Sequence, residues 1–273
     1  METTTNVQFL TRPDGRVAYE VEGAGPLALL VPGMGDLRST YRHVAPTLRD
    51  AGFRVVLADL RGHGDSDTTF TTYGDEATAG DLIALVEHLG GPAVLVGNSM
   101  GAGAAALVAA LRPDLVSGLV LIGPFMRDPE LSIASRLMLR LAMARPWGAR
   151  AWVSYFPKLN AGTRPEDFDS HRAAIARSLS RPGYARAFWQ TTRQTTHAPV
   201  EAHLAQVSAP SLVIMGELDP DWADPAAEAR WIATTLGSDV VMVPDAGHYP
   251  QSQQPGITSA SILALLAQVT PGA

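Results

Sequence analysis

A chain of 273 residues, 46% hydrophobic and 18% charged, is long enough for one full core with or without an inserted subdomain, and is globular rather than disordered. A net charge of −6 offers a polyanion nothing to bind, which argues against nucleic acid and against a membrane surface gripped by basic residues. The absence of cysteine excludes disulfides, thiolate nucleophiles and cysteine-ligated metals, and Lys158, the only lysine, follows no glycine loop that could cradle a phosphate.

In chain order, residues 1–10 are polar and lack the basic-then-apolar pattern of a signal peptide. No apolar run reaches the roughly 18 residues a bilayer span needs, so cytoplasm is the expected compartment. Residues 16–21 read as a strand closed by a Gly/Pro turn. The unbroken apolar runs 27–31, 53–58, 93–96 and 119–122 read as strands buried on both faces. Between them, 40–51, 75–89 and the alanine-rich 100–111 have helical spacing, with Gly52 and Gly90-Gly91 as stops. Residues 124–207 carry helical periodicity, more aromatics and no strand signal. Alternation then resumes, with strands at 211–215 and 240–243 and helices at 226–236 and 258–269. Short apolar strands alternating with helices predict a mostly parallel α/β sheet covered on both faces. The expected division is a core of 1–123 and 208–273 with a helical cap at 124–207.

Gly97-Asn98-Ser99-Met100-Gly101 lies between a buried strand and a helix. A strand turning at once into a helix strains its middle residue and lifts the hydroxyl above the sheet, and the flanking sites take glycine because side chains there would collide. Ser99 is therefore the candidate nucleophile. It needs a base. Of seven histidines, His248 stands out, because Gly247 allows a sharp turn just after the last strand, at the same sheet edge as the serine. His171, His197 and His203 belong to the middle segment.

The base needs a carboxylate. Asp219, after the strand 211–215, gives the order serine, acid, histidine that this arrangement demands. Glu217, Asp221 and Asp224 lie close by, and Asp128 is a further alternative. The developing oxyanion needs two donors. The backbone N–H of Met100 is one, and that of Met34, in Pro32-Gly33-Met34-Gly35-Asp36, is the expected second, since glycines on both sides let the chain approach a substrate.

On these elements, together with Asp59-Leu60-Arg61-Gly62-His63-Gly64, the chain resembles the α/β-hydrolase superfamily from near residue 17 to the C-terminus. The resemblance implies an eight-stranded sheet with an inserted helical cap, no cofactor and no metal. It also implies hydrolysis of a carboxylic ester or lactone of a small apolar substrate through an acyl-enzyme. Asp59 and His63 are read as structural. The Gly-Asn-Ser-Met-Gly elbow is similar to that of C–C hydrolases, but Tyr249-Pro250 stands where those relatives carry a tryptophan. It is closer to esterases, lactonases and cofactor-free haloperoxidase-like proteins. Trp147, Trp152, Phe156, Phe188 and Trp189 either wall an apolar substrate pocket or form the cap's own core.

Two other classes compete. Gly33-Met34-Gly35 followed by Asp59 imitates a dinucleotide fingerprint, but Arg38 occupies the third glycine position and the Ser99 elbow goes unexplained. A non-catalytic ligand-binding receptor on the same fold is the second. Metal catalysis has no His-Glu-x-x-His to support it, and His197 and His203 do not share a helical face.

Overall fold

The computed structural model describes residues 6–129 and 132–270. Its elements run β1 (Gln8–Arg12), β2 (Gly15–Glu22), β3 (Leu27–Val31), α1 (Ala45–Asp50), β4 (Arg54–Ala58), α2 (Asp75–Leu89), β5 (Ala93–Asn98), α3 (Met100–Leu111) and β6 (Val116–Ile122). Five helices follow: α4 (Ile133–Ala142), α5 (Gly148–Leu159), α6 (Phe168–Ser180), α7 (Tyr184–Gln194) and α8 (Ala198–His203). The alternation then returns with β7 (Ser211–Gly216), α9 (Pro225–Leu236), β8 (Asp239–Val243), α10 (Pro250–Gln253) and α11 (Pro255–Val269).

The eight strands form one sheet in the order β1-β2-β4-β3-β5-β6-β7-β8. The first two are antiparallel to their neighbours, and the other pairings are parallel. Strand periodicity divides the side chains between two layers. Leu29, Val31, Leu95, Leu119 and Leu121 pack with α2, α3 and α9. Leu30, Val94, Val96, Val120 and Ile122 pack with Ala45 and Leu48 of α1 and with Ile262, Leu265 and Leu266 of α11. The many alanines of α3, buried from Ala102 to Ala109, let that helix lie close against the sheet.

Three details depart from the sequence reading. β1 was not expected: residues 8–12 alternate too weakly to announce a strand and are fixed by pairing with β2 from Gln8–Tyr19 to Arg12–Gly15. The single helix expected at 40–51 is a short 3₁₀ turn, Arg38–Tyr41, followed by α1. Proline at the second position of α1 suits a helix start rather than a helix interior. α10 was also missed. Among the described residues, no helix is long and apolar enough to cross a membrane.

Candidate active site

β5 delivers the chain to Ser99, where φ is 57° and ψ −124°, before α3 starts at Met100. A non-glycine residue at positive φ costs roughly 1–3 kcal/mol and persists only where its surroundings fix it. Here Ser99 N–H donates to Ile122 O at 2.9 Å. The Asn98 side chain donates to Ile122 O at 3.0 Å and to His248 O at 3.1 Å. The glycine requirement is steric. A Cβ on Gly97 would lie 2.5 Å from the Ala102 Cα, and one on Gly101 would run into the Pro32 carbonyl. Gly97→Ala should therefore cost about 1–3 kcal/mol through overpacking, read as a lower urea midpoint with unchanged slope. An unchanged midpoint would mean that the elbow is looser than this geometry.

His248 is buried, with its N–H on Leu159 O at 2.8 Å and its Nδ1 donating to Asp219 Oδ2 at 2.8 Å. That bond leaves Nε2 as the basic nitrogen. Gly123, at φ +48°, backs the ring: a Cβ there would stand 3.1 Å from Nδ1 and 3.0 Å from His248 O. Ile122 therefore holds the serine while its neighbour holds the imidazole, which sets both groups at the carboxyl end of β5 and β6. Among the described residues, no hydrogen bond yet joins Ser99 Oγ to His248. Nucleophile–base contacts of free enzymes commonly tighten only when substrate arrives.

The acids sort by position. Asp219 is buried beside the imidazole, and Asp221 Oδ2 lies 3.5 Å from the same Nδ1. Glu217 is exposed, and Asp224 caps α9 through Ala227 N–H at 2.8 Å. Asp128 is exposed and accepts from Thr196 Oγ1 at 2.7 Å and His197 N–H at 2.8 Å, closing the base of the helical insertion. Burial lowers the His248 pKa, but Asp219 and Asp221, helped by the Asp219 hydrogen bond, outweigh it and push it up to about 9. Burial holds the Asp221 carboxyl above the usual carboxylate range, opposed by the His248 charge and reinforced by Asp219.

The loop after β3 lies directly over the serine. A Cβ on Gly33 would be 2.7 Å from Ser99 Cβ and 3.2 Å from its Oγ. Among the described residues, Met34 N–H has no hydrogen-bond acceptor, and Met100 N–H, first in α3, has none one turn back in its own helix. The loop is braced from the insertion: Trp152 Nε1–H donates to Gly35 O at 2.9 Å, and His171 Nε2 pairs with buried Asp36 Oδ1 at 2.7 Å.

The aromatic residues divide. Phe156 and Phe188 are buried in the insertion's own core with Leu159, Phe168, Ile175 and Tyr249. Trp152 packs on Phe188 at 5.6 Å and reaches the Met34 loop. Trp147 is half exposed, and the Arg193 guanidinium lies 4.7 Å from the Trp189 ring centre. Asp59 and His63 sit in a loop lattice. Asp59 pairs with the Arg38 side chain and accepts from Asp65 N–H at 3.0 Å, and His63 Nδ1 bonds Arg61 O at 3.0 Å. Arg38 thus fills the carboxylate that a dinucleotide ribose would need. Sequence reasoning did not single out Gly123, or Asn98 as the tie between elbow and base. The signals for both were a glycine directly after an apolar run and an amide beside the nucleophile.

The chain is similar over most of its length to known proteins. The chain is 28% identical over 254 residues to a probable esterase of Oryza sativa subsp. japonica, covering 89% of this chain and 92% of the relative. It is 28% identical over 260 residues to 2-(acetamidomethylene)succinate hydrolase of Mesorhizobium japonicum, covering 91% of each. A thermophilic esterase from Thermogutta terrifontis superposes with a TM-score of 0.78 at 29% identity, over 97% of this chain and 99% of that one. The alpha/beta hydrolase family model matches residues 28–260, which carry the sheet from β3 onward, the elbow and the histidine loop, and the chain belongs to that family of hydrolases.

Proposed function

We propose that this hydrolase cleaves a carboxylic ester or lactone of a small apolar substrate through an acyl-enzyme on Ser99. The observation that carries the reading is a strained serine at φ 57° anchored on Ile122 O, and, packed on the adjoining Gly123, a histidine hydrogen-bonded at 2.8 Å to a buried aspartate. In this mechanism Ser99 Oγ attacks the carbonyl carbon while His248 Nε2 takes the hydroxyl proton and Asp219 holds the imidazolium. The N–H groups of Met34 and Met100 receive the oxyanion. The tetrahedral intermediate collapses, the C–O bond to the alcohol breaks, and His248 returns the proton to the departing oxygen. A water, deprotonated by His248, then attacks the acyl carbon and releases the acid and the serine. The esterase neighbours at 28% and 29% identity support this chemistry. The insertion acts as a cap, with Trp152 as its contact over the oxyanion loop.

A base pushed up to about 9 is mostly imidazolium at neutral pH, and only its neutral form takes a proton. For a nitrophenyl acyl ester, kcat/KM should rise about tenfold per pH unit and level off near pH 9. A rise already complete at pH 7 would show that the two carboxylates do not act on His248 as the geometry requires. The same shift ties folding to pH. The fold favours the imidazolium, so this contribution is complete below the ordinary value of 6.5 and is lost as pH rises through about 9.

A further inference from the structure

The chain-wide charge of −6 hides a local reversal. From Ser132 to Pro165 the sequence holds Arg136, Arg140, Arg145, Arg150, Lys158 and Arg164 and not one acid. Among the described residues, the side chains of the first four of these make no ion pair or hydrogen bond, and all four residues are exposed. The same stretch carries α4, a helix with no buried side chain. Ile133 is 88% exposed and Met138 71%, with Leu137, Leu139 and Leu141 each more than half exposed. At helical spacing Ile133, Leu137 and Leu141 form one apolar row with Ala134 and Met138 beside it, while Arg136 and Arg140 form a cationic edge one turn apart. Trp147 stands half exposed just beyond, its Nε1–H donating to Leu141 O at 2.8 Å. A soluble monomer rarely leaves such a cluster bare unless something covers it.

We infer that α4 and Trp147 dock this protein on an anionic lipid surface, the apolar row entering the acyl boundary and the arginines meeting lipid phosphates. The charge pattern selects that occupant. Leucine and methionine provide burial, and arginines flanking an apolar face snorkel to headgroups. A second copy of the chain is a poor partner, because an isologous contact through α4 would set this acid-free segment against itself. Docking would also hold the segment that continues into α5, whose Trp152 bonds the loop over Ser99. The inference does not depend on the reaction at Ser99.

The test is co-sedimentation of the full chain with large vesicles of phosphatidylcholine alone or mixed with phosphatidylglycerol. Binding should be confined to the mixed vesicles, weaken with salt, and be equal for the wild type and Ser99→Ala. Arg136→Gln with Arg140→Gln should weaken partitioning about thirtyfold, at roughly fivefold per arginine. Leu137→Ser with Met138→Ser should also weaken it. Since α4 contributes nothing to the core, both pairs should keep the wild-type far-ultraviolet spectrum and melting curve. Equal partitioning to both vesicle types, no pelleting with the mixed vesicles, or binding indifferent to these variants would overturn the inference. So would a concentration-dependent dimer that Leu137→Ser with Met138→Ser dissolves while the wild type ignores vesicles.

Discussion

Ser99→Ala should lower nitrophenyl-ester turnover by a factor of several thousand or more while leaving the fold intact. The hydroxyl oxygen is the only heavy atom removed, and the Ser99 N–H bond to Ile122 O is untouched. Alanine keeps the strained backbone, whereas Ser99→Gly relieves it, because glycine visits positive φ freely. Both variants should be inactive, and the glycine variant should be more stable than the alanine variant by about 1 kcal/mol. Thermal melts and steady-state kinetics on the two proteins check both halves. Undiminished hydrolysis by Ser99→Ala would refute the nucleophile. Equal melting temperatures would show that the elbow stores no strain.

Asp219→Asn should cost on the order of ten-thousandfold in kcat, because an amide facing Nδ1 holds the imidazole in the wrong tautomer and no longer stabilises its charge. Asp221→Asn provides the contrast. Its carboxylate lies 3.5 Å from Nδ1 against 2.8 Å for Asp219, and it adds to the upward pull on the histidine. Removing it should leave the plateau rate within about tenfold and move the midpoint of the pH profile downward, since one negative charge beside the imidazolium is gone. The roles are exchanged if Asp221→Asn loses more rate than Asp219→Asn. An unmoved midpoint in Asp221→Asn would remove that residue from the site's electrostatics.

The pairings among acids and histidines show where sequence reasoning stops. Asp128 and Asp219 both follow strands at the same sheet edge, and the sequence favours Asp219 while leaving Asp128 as an alternative. In space one ties the two ends of the insertion together through Thr196 and His197, and the other meets His248. Two further buried pairs, Asp36 with His171 and Asp75 with His197, join residues 135 and 122 positions apart. No local pattern announces them, because each partner is ordinary in its own segment. The aromatic cluster is similar. Composition could not separate a pocket wall from a cap core, and packing gave Phe156 and Phe188 to the core while Trp152 reaches over the Met34 loop.

The sequence alone determined the layered α/β class, because apolar runs buried on both faces and helical periodicity between them are local properties of the chain. It also singled out Ser99 and His248 as candidates, since a glycine-flanked turn from strand to helix and a glycine-hinged loop after the last strand are backbone constraints written in neighbouring residues. Only the tertiary structure decided which carboxylates reach the imidazole, how β1 pairs, and that α4 stands bare, its arginine side chains without partners among the described residues. Those outcomes depend on loops and faces far apart in sequence coming to one place, and the free energy that brings them there comes from the whole core rather than from the residues that meet.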